Sequence, residues 1–185
     1  MRTYTLEEIR RTFTSSTDFN EIFDAFQAAL AQNVQDMEMY RQLFWNHSLS
    51  VDEVRLFGEK LAAKLPDLAY EVFLWLAGVF EVTQGEMDNY DLAITYYQKA
   101  AAARPAEPDP YLDACDCYDP DLNIPPLHAL IEFLRKGLDH IKNPISLYKR
   151  LGHLYEMAGD AEQSELFRRL ADEAGTPGSD KIQGE

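Results

Sequence analysis

Three small residues, Gly78, Cys115 and Gly152, stand 37 residues apart, and other residue classes repeat at the same offset. Leu74, Tyr111 and Tyr148 keep it, as do Ala93 with Leu130, Tyr97 with Leu134, and Ala100 with Gly137. A fixed internal period of this length marks a stacked supersecondary unit. The clearest copy of the unit's second half is Tyr90 to Pro105, where Ala93, Tyr97 and Ala100 fall three and four residues apart on one helical face. Small residues alternating with an aromatic suit close packing of helix on helix. Pro105 stops the helix, because proline cannot donate to the backbone ladder and restricts the residue before it. A helical hairpin cannot bury its apolar faces alone, so successive copies must stack and share a core.

The rest of the chain reads as helices separated by short breaks. Thr5 with Glu8, and Ser50 with Glu53, have capping-box spacing and predict helices over 6–13 and 51–65, the second ended by Pro66. Their expected apolar faces are Leu6, Ile9 and Phe13 in one, and Val51, Val54, Phe57, Leu61 and Leu65 in the other. Asp18 with Glu21 opens a helix to about Gln32, whose stripe of Phe19, Ile22, Phe23 and Phe26 must be covered by something. A further helix is expected over 36–46. The stretch 68–84, with Asp67 as its expected cap, is apolar on nearly every side and should be surrounded by protein. Helices over 111–118, 127–141, 146–158 and 161–174 follow, the last pair joined by a Gly159-Asp160 turn, and 175–185 reads as a flexible tail.

Composition narrows the job. With 46% hydrophobic residues in 185, the chain can bury a continuous core. Its net charge of -15, from 32 acids against 17 bases, opposes nonspecific binding to nucleic acid or anionic lipid and favours a basic or amphipathic partner. Cys115 and Cys117 are too close together for a disulfide framework and fit a reducing compartment. The N-terminus lacks the apolar core of a signal peptide, and the longest apolar run, Val72 to Phe80, is too short to span a bilayer. The expectation is a cytoplasmic protein, taken as bacterial, with no nucleic-acid partner and no membrane insertion.

Tyr90-Asp-Leu-Ala93-Ile-Thr-Tyr96-Tyr97-Gln-Lys-Ala100 through Pro105 resembles the second helix of the tetratricopeptide repeat (TPR) family. Leu147-Tyr148-Lys-Arg-Leu151-Gly152-His-Leu-Tyr155-Glu-Met-Ala-Gly159-Asp160 resembles that family's first helix and turn. The resemblance is closest over 71–174 and leaves open a degenerate earlier unit at 36–66. The family period is about 34, and the extra residues here fall in the turns 85–89 and 119–126. Cys115 stands where the family has glycine, and Ser164 where it has alanine.

The resemblance implies an all-α fold of antiparallel helical hairpins, stacked as a short right-handed TPR-like α-solenoid with extra N-terminal helices. The N-terminal helices would occupy 1–66, three hairpins 67–174 and a tail 175–185. It also implies a concave wall built from first helices. That wall would carry Val72, Trp75, Val79 and Val82, then Leu112, Asp116 and Asp119, then Lys149, His153 and Glu156. An apolar patch running into an acidic one would take an extended or helical peptide whose basic residues reach the acids. The chain's own N-terminal helix, through Phe19, Phe23 and Phe26, is the alternative occupant. Some family members clamp acidic C-terminal peptides with basic residues on this wall; here the field has the opposite sign.

Catalytic and metal motifs fail on inspection. Asp119, Asp121 and Asn123 copy the opening of a calcium loop, but Ile124 holds the place of its glycine and Leu130 that of its closing glutamate. Two cysteines supply half of a zinc site. His47, His128, His140 and His153 are scattered, with no nucleophile motif or phosphate loop beside them. No cofactor or metal is expected, and the chain reads as a non-catalytic protein–protein interaction module or scaffold that binds a basic or amphipathic segment. Two alternatives stand beside it. Size, acidity and a helical prelude resemble secretion-type chaperones that hold a hydrophobic client. Leu166, Phe167 and Leu170 on the last helix would instead suit a self-associating structural subunit, a homo-oligomer stacked through its end repeats.

Overall fold

The residues with capping spacing do begin helices. In the computed structural model, which describes residues 4–82 and 88–176, α1 (Leu6–Ser15) opens on Thr5, whose hydroxyl accepts the Glu8 N–H at 3.2 Å while the Glu8 carboxylate accepts the Thr5 N–H at 2.8 Å. Asp18 caps α2 (Phe19–Ala31) by accepting from the Asn20 N–H at 2.8 Å. Asp36 caps α3 (Met37–Phe44), and Ser50 with Glu53 forms the second capping box ahead of α4 (Val51–Lys64). Each such cap contributes about 1 kcal/mol. A 3-10 turn at Pro66–Leu68 then leads into α5 (Ala69–Val82) and α6 (Asp88–Ala103). Asp67 therefore sits inside that turn rather than capping α5, because Pro66, its backbone preset for a helical start, begins winding the chain one residue earlier.

The remaining helices are α7 (Asp109–Asp116), α8 (Leu127–Leu138), α9 (Ile145–Met157) and α10 (Ala161–Gly175). The described residues form an all-α fold of helical hairpins with no strand; Asp119 and Ile124 alone exchange a bridge within a loop. No described helix is long and apolar enough to cross a membrane. Of the expected turn at 85–89, residues 85–87 lie outside the described residues and 88–89 already belong to α6; the tail beyond Thr176 also lies outside them.

The chain divides into two compact units, one ending at Ala103 and one beginning at Arg104. In the first, α5 is the central element: it packs on α3, α4 and α6, and Val72, Leu76, Ala77 and Phe80 are buried. The phenylalanine stripe of α2 is covered by Phe57 of α4, whose ring centroid lies 5.8 Å from Phe19, 6.3 Å from Phe23 and 4.9 Å from Phe26. On α6, Ala93, Tyr97 and Ala100 are buried as the spacing required. Tyr96 joins them, its ring against Phe80 and Phe73 and its hydroxyl donating to Glu59 at 3.0 Å. Leu6 departs from the expected face of α1 and is 55% exposed: as the first residue of the helix it has no turn beneath it to share its face.

In the second unit α7 packs on α8 and α9, and α9 forms a hairpin with α10. Gly159 makes that turn at φ +77°, a conformation costly for a side chain, and Asp160 then caps α10 through the Gln163 N–H at 3.0 Å. The repeat is faithful in second helices: Leu130, Leu134 and Gly137 are buried like Ala93, Tyr97 and Ala100. It is looser in first helices. A Cβ on Gly152 would meet Arg168 and the Ser164 backbone at 3.1 and 3.3 Å, and Cys115 is buried, but nothing lies within 4 Å of a Cβ on Gly78.

Candidate functional site: a tryptophan track on the first unit

The chain has two tryptophans, and the fold brings them together. Trp45 ends α3, its N–H donating to the Arg41 carbonyl at 3.0 Å. Trp75 lies on α5. Their rings meet edge to face at 89° with centroids 6.1 Å apart, an arrangement the ring quadrupole favours. Trp45 is nonetheless 52% exposed. Arg41, one turn before Trp45, lays its guanidinium 4.8 Å from the Trp75 centroid and donates to Glu38 at 3.2 Å. These side chains, with Thr14 of α1 and Gln42 of α3, line an open depression of about 470 Å³. Trp75 Nε1, Arg41 Nε and Gln42 Oε1 are shielded from solvent and have no hydrogen-bond partner among the described residues. Such orphaned groups cost about 1–3 kcal/mol each.

Asn46 holds this wall in place. Its amide nitrogen donates to the carbonyls of Phe13 and Ser16 at 2.9 and 3.0 Å, and its oxygen accepts from the Ser48 N–H and hydroxyl at 3.0 and 2.7 Å. The side chain thereby ties the end of α1 to the end of α3, both of which border the depression. Neither Trp45 nor Asn46 stood out in the sequence, since both fall at a helix end with no periodic role. Trp45 could have been found as a tryptophan off any apolar stripe.

From the depression a stripe runs along α5 through Trp75, Gly78 and Val82, three and seven residues on. Val82 is 57% exposed, and among the described residues nothing lies within 4 Å of a Cβ placed on the half-buried Gly78. The two other valines expected on an open wall are not on this stripe. Val72 is 0% and Val79 5% exposed, because the α5 face that carries them, with Leu76 and Phe80, is the one buried in the core.

The expected site residues of the second unit have roles within it. Asp116 pairs with Arg150 at 2.8 Å. Asp119 accepts from the N–H groups of Asp121 and Leu122 at 2.9 and 3.2 Å and so shapes its own loop. His153 stands 3.9 Å from Glu156, which also pairs with Arg168. Lys149 is exposed and Leu112 half-buried. The two cysteines are free and buried, and burial pushes the Cys115 thiol up to about 12 despite the nearby Arg150 charge.

The fold has counterparts among solved structures. One crystal structure of MamA superposes with a TM-score of 0.51 at 19% identity, over 94% of this chain and 96% of its own. A second MamA crystal structure gives 0.54 at 17% identity, over 97% and 99%. At that identity the likeness is one of fold. No family model matches the sequence, and no curated protein does.

Proposed function

We propose that this chain is a non-catalytic protein-interaction module and that the Trp75–Gly78–Val82 stripe, with Trp45 at its head, docks a basic or amphipathic segment of another protein. One observation carries this reading. A large aromatic side chain is exposed beside a second, half-buried one, at the end of a helix stripe with a glycine gap. Tryptophan is among the side chains on which interface energy concentrates once a partner desolvates it, and a glycine with open space where its Cβ would be lets a partner approach the backbone. The ends of the stripe stand seven residues apart, about 10 Å along the helix, the length of two helical turns of an amphipathic partner. The net charge of -15 draws basic segments toward the chain.

The test exploits the gap. Gly78→Leu fills open space and should leave the fold intact by circular dichroism while weakening capture of peptides selected from a random display library on the wild-type protein. Trp75→Ala should weaken the same peptides. Selected peptides that bind both variants as well as wild type would place docking elsewhere. The self-associating alternative makes a separate prediction, a mass that rises with concentration in light scattering.

A further inference from the structure

The head of this track has its own chemistry. The face of Trp75 already carries a cation, Arg41, steadied by the Glu38 carboxylate. The pair shows what these rings accept: a planar or compact cation, held against π density by one acid. Trp45 offers a second ring, 52% exposed, and among the described residues no cation rests on it. Glu38 is 68% exposed, and a carboxylate has acceptor sites for more than one donor. Within the depression the charges of Glu38 and Arg41 cancel, and the chain as a whole, at -15, favours a basic visitor.

We propose that the Trp45 end of the depression is a seat for one basic side chain, arginine or lysine, of the docked segment, with the cation on the Trp45 ring and paired to Glu38. This rests on the docking function proposed above and adds its selectivity. The docked cation takes the exposed Trp45 ring and leaves Arg41 in place on Trp75.

Because both tryptophans lie in the site, intrinsic fluorescence of the full chain reports on it without labels. The probes are N-acetyl-arginine amide and its neutral isostere N-acetyl-citrulline amide. The arginine probe should change the emission saturably and bind about fivefold more tightly than the citrulline probe, the preference a cation–π contact supplies. Trp45→Leu, read from the remaining Trp75, should abolish that preference. Glu38→Gln should lower arginine affinity about twofold and flatten its salt dependence. Equal response to the two probes, or no saturable response to arginine, overturns the seat. The library selection separates this from failure of the track: peptides that need Gly78 and Trp75 yet carry no basic residue uphold docking and overturn the seat. If no selected peptide depends on the track, both are overturned.

Discussion

Gly78, Gly137 and Gly152 look alike in the sequence and differ in what surrounds them. A Cβ on Gly137 would sit 2.9 Å from the Tyr111 ring and 3.0 Å from Leu147, both buried, so neither neighbour can move aside. Gly137→Ala should therefore destabilise the protein by about 1 kcal/mol, overpacking outweighing the gain in helix propensity. Gly78→Ala should stabilise it by about 0.5–1 kcal/mol, since only the propensity term acts. Urea midpoints on the two variants check both signs. Ser164, where the resembled family has alanine, donates to the Gly152 carbonyl at 2.8 Å from a buried position, which accounts for the hydroxyl at that close approach. Burial also governs titration. The Cys115 thiol is pushed up to about 12, and the Tyr96 phenol reaches about 12 through burial and then the Glu59 carboxylate; Tyr40 is raised too, by burial and then Asp36. The folded chain holds these protons more tightly than the unfolded one. Their contribution to stability is thus full below about pH 9 and is lost as pH rises toward 12. Urea midpoints measured from neutral pH upward should stay flat until about pH 9 and then fall.

Among the elements, α1 depends most on a single side chain. It packs on α2 and α3, its ion pair from Arg10 to Asp36 is solvent-exposed and contributes little, and its C-terminal end is fastened by Asn46. Asn46→Asp keeps the shape but replaces the two-hydrogen donor with a carboxylate facing two carbonyl oxygens. The expected cost is about 2–4 kcal/mol, from two lost hydrogen bonds and the groups left unpaired. Hydrogen exchange should localise the loss to the end of α1 and the turn after it, with α6 unaffected. Equal loss of protection throughout the first unit would show that α1 and the core unfold together. The element that organises the first unit, α5, has two uses: one face is core, through Val72, Leu76, Val79 and Phe80, and the stripe of Trp75, Gly78 and Val82 is left open.

On the scale of the whole molecule, the division after Ala103 places the first repeat-like hairpin, α5 with α6, in the same unit as the N-terminal helices. That unit holds its own buried set, from Ile9 and Phe13 to Ala100. Residues 1–103 expressed alone should therefore be helical, unfold cooperatively in urea, and keep the tryptophan emission of the full chain. A non-cooperative transition would show that its core needs the second unit. Charge acts at this scale as well. With -15 spread over the chain, association with a basic peptide should slow several-fold as salt is raised, while dissociation changes little. Stopped-flow fluorescence resolves the two rates.

Local chemistry was legible in the chain itself. Capping boxes at Thr5 and Ser50, the Gly159-Asp160 turn, the stop at Pro105 and the buried faces of α6 and α8 all follow from interactions within a few residues, so spacing alone determines them. The all-α hairpin fold follows in turn, because such faces have to be covered. Which face of α5 is covered was decided only in three dimensions. Its residues are apolar nearly all round, so no periodicity distinguishes the side that meets α6 from the side that carries Trp75. Trp75 was singled out in the sequence, but Val72 and Val79, expected beside it, belong to the core, and its actual neighbour Trp45 lies thirty residues away on α3. That meeting depends on how α3 packs against α5, a tertiary choice that no local pattern encodes.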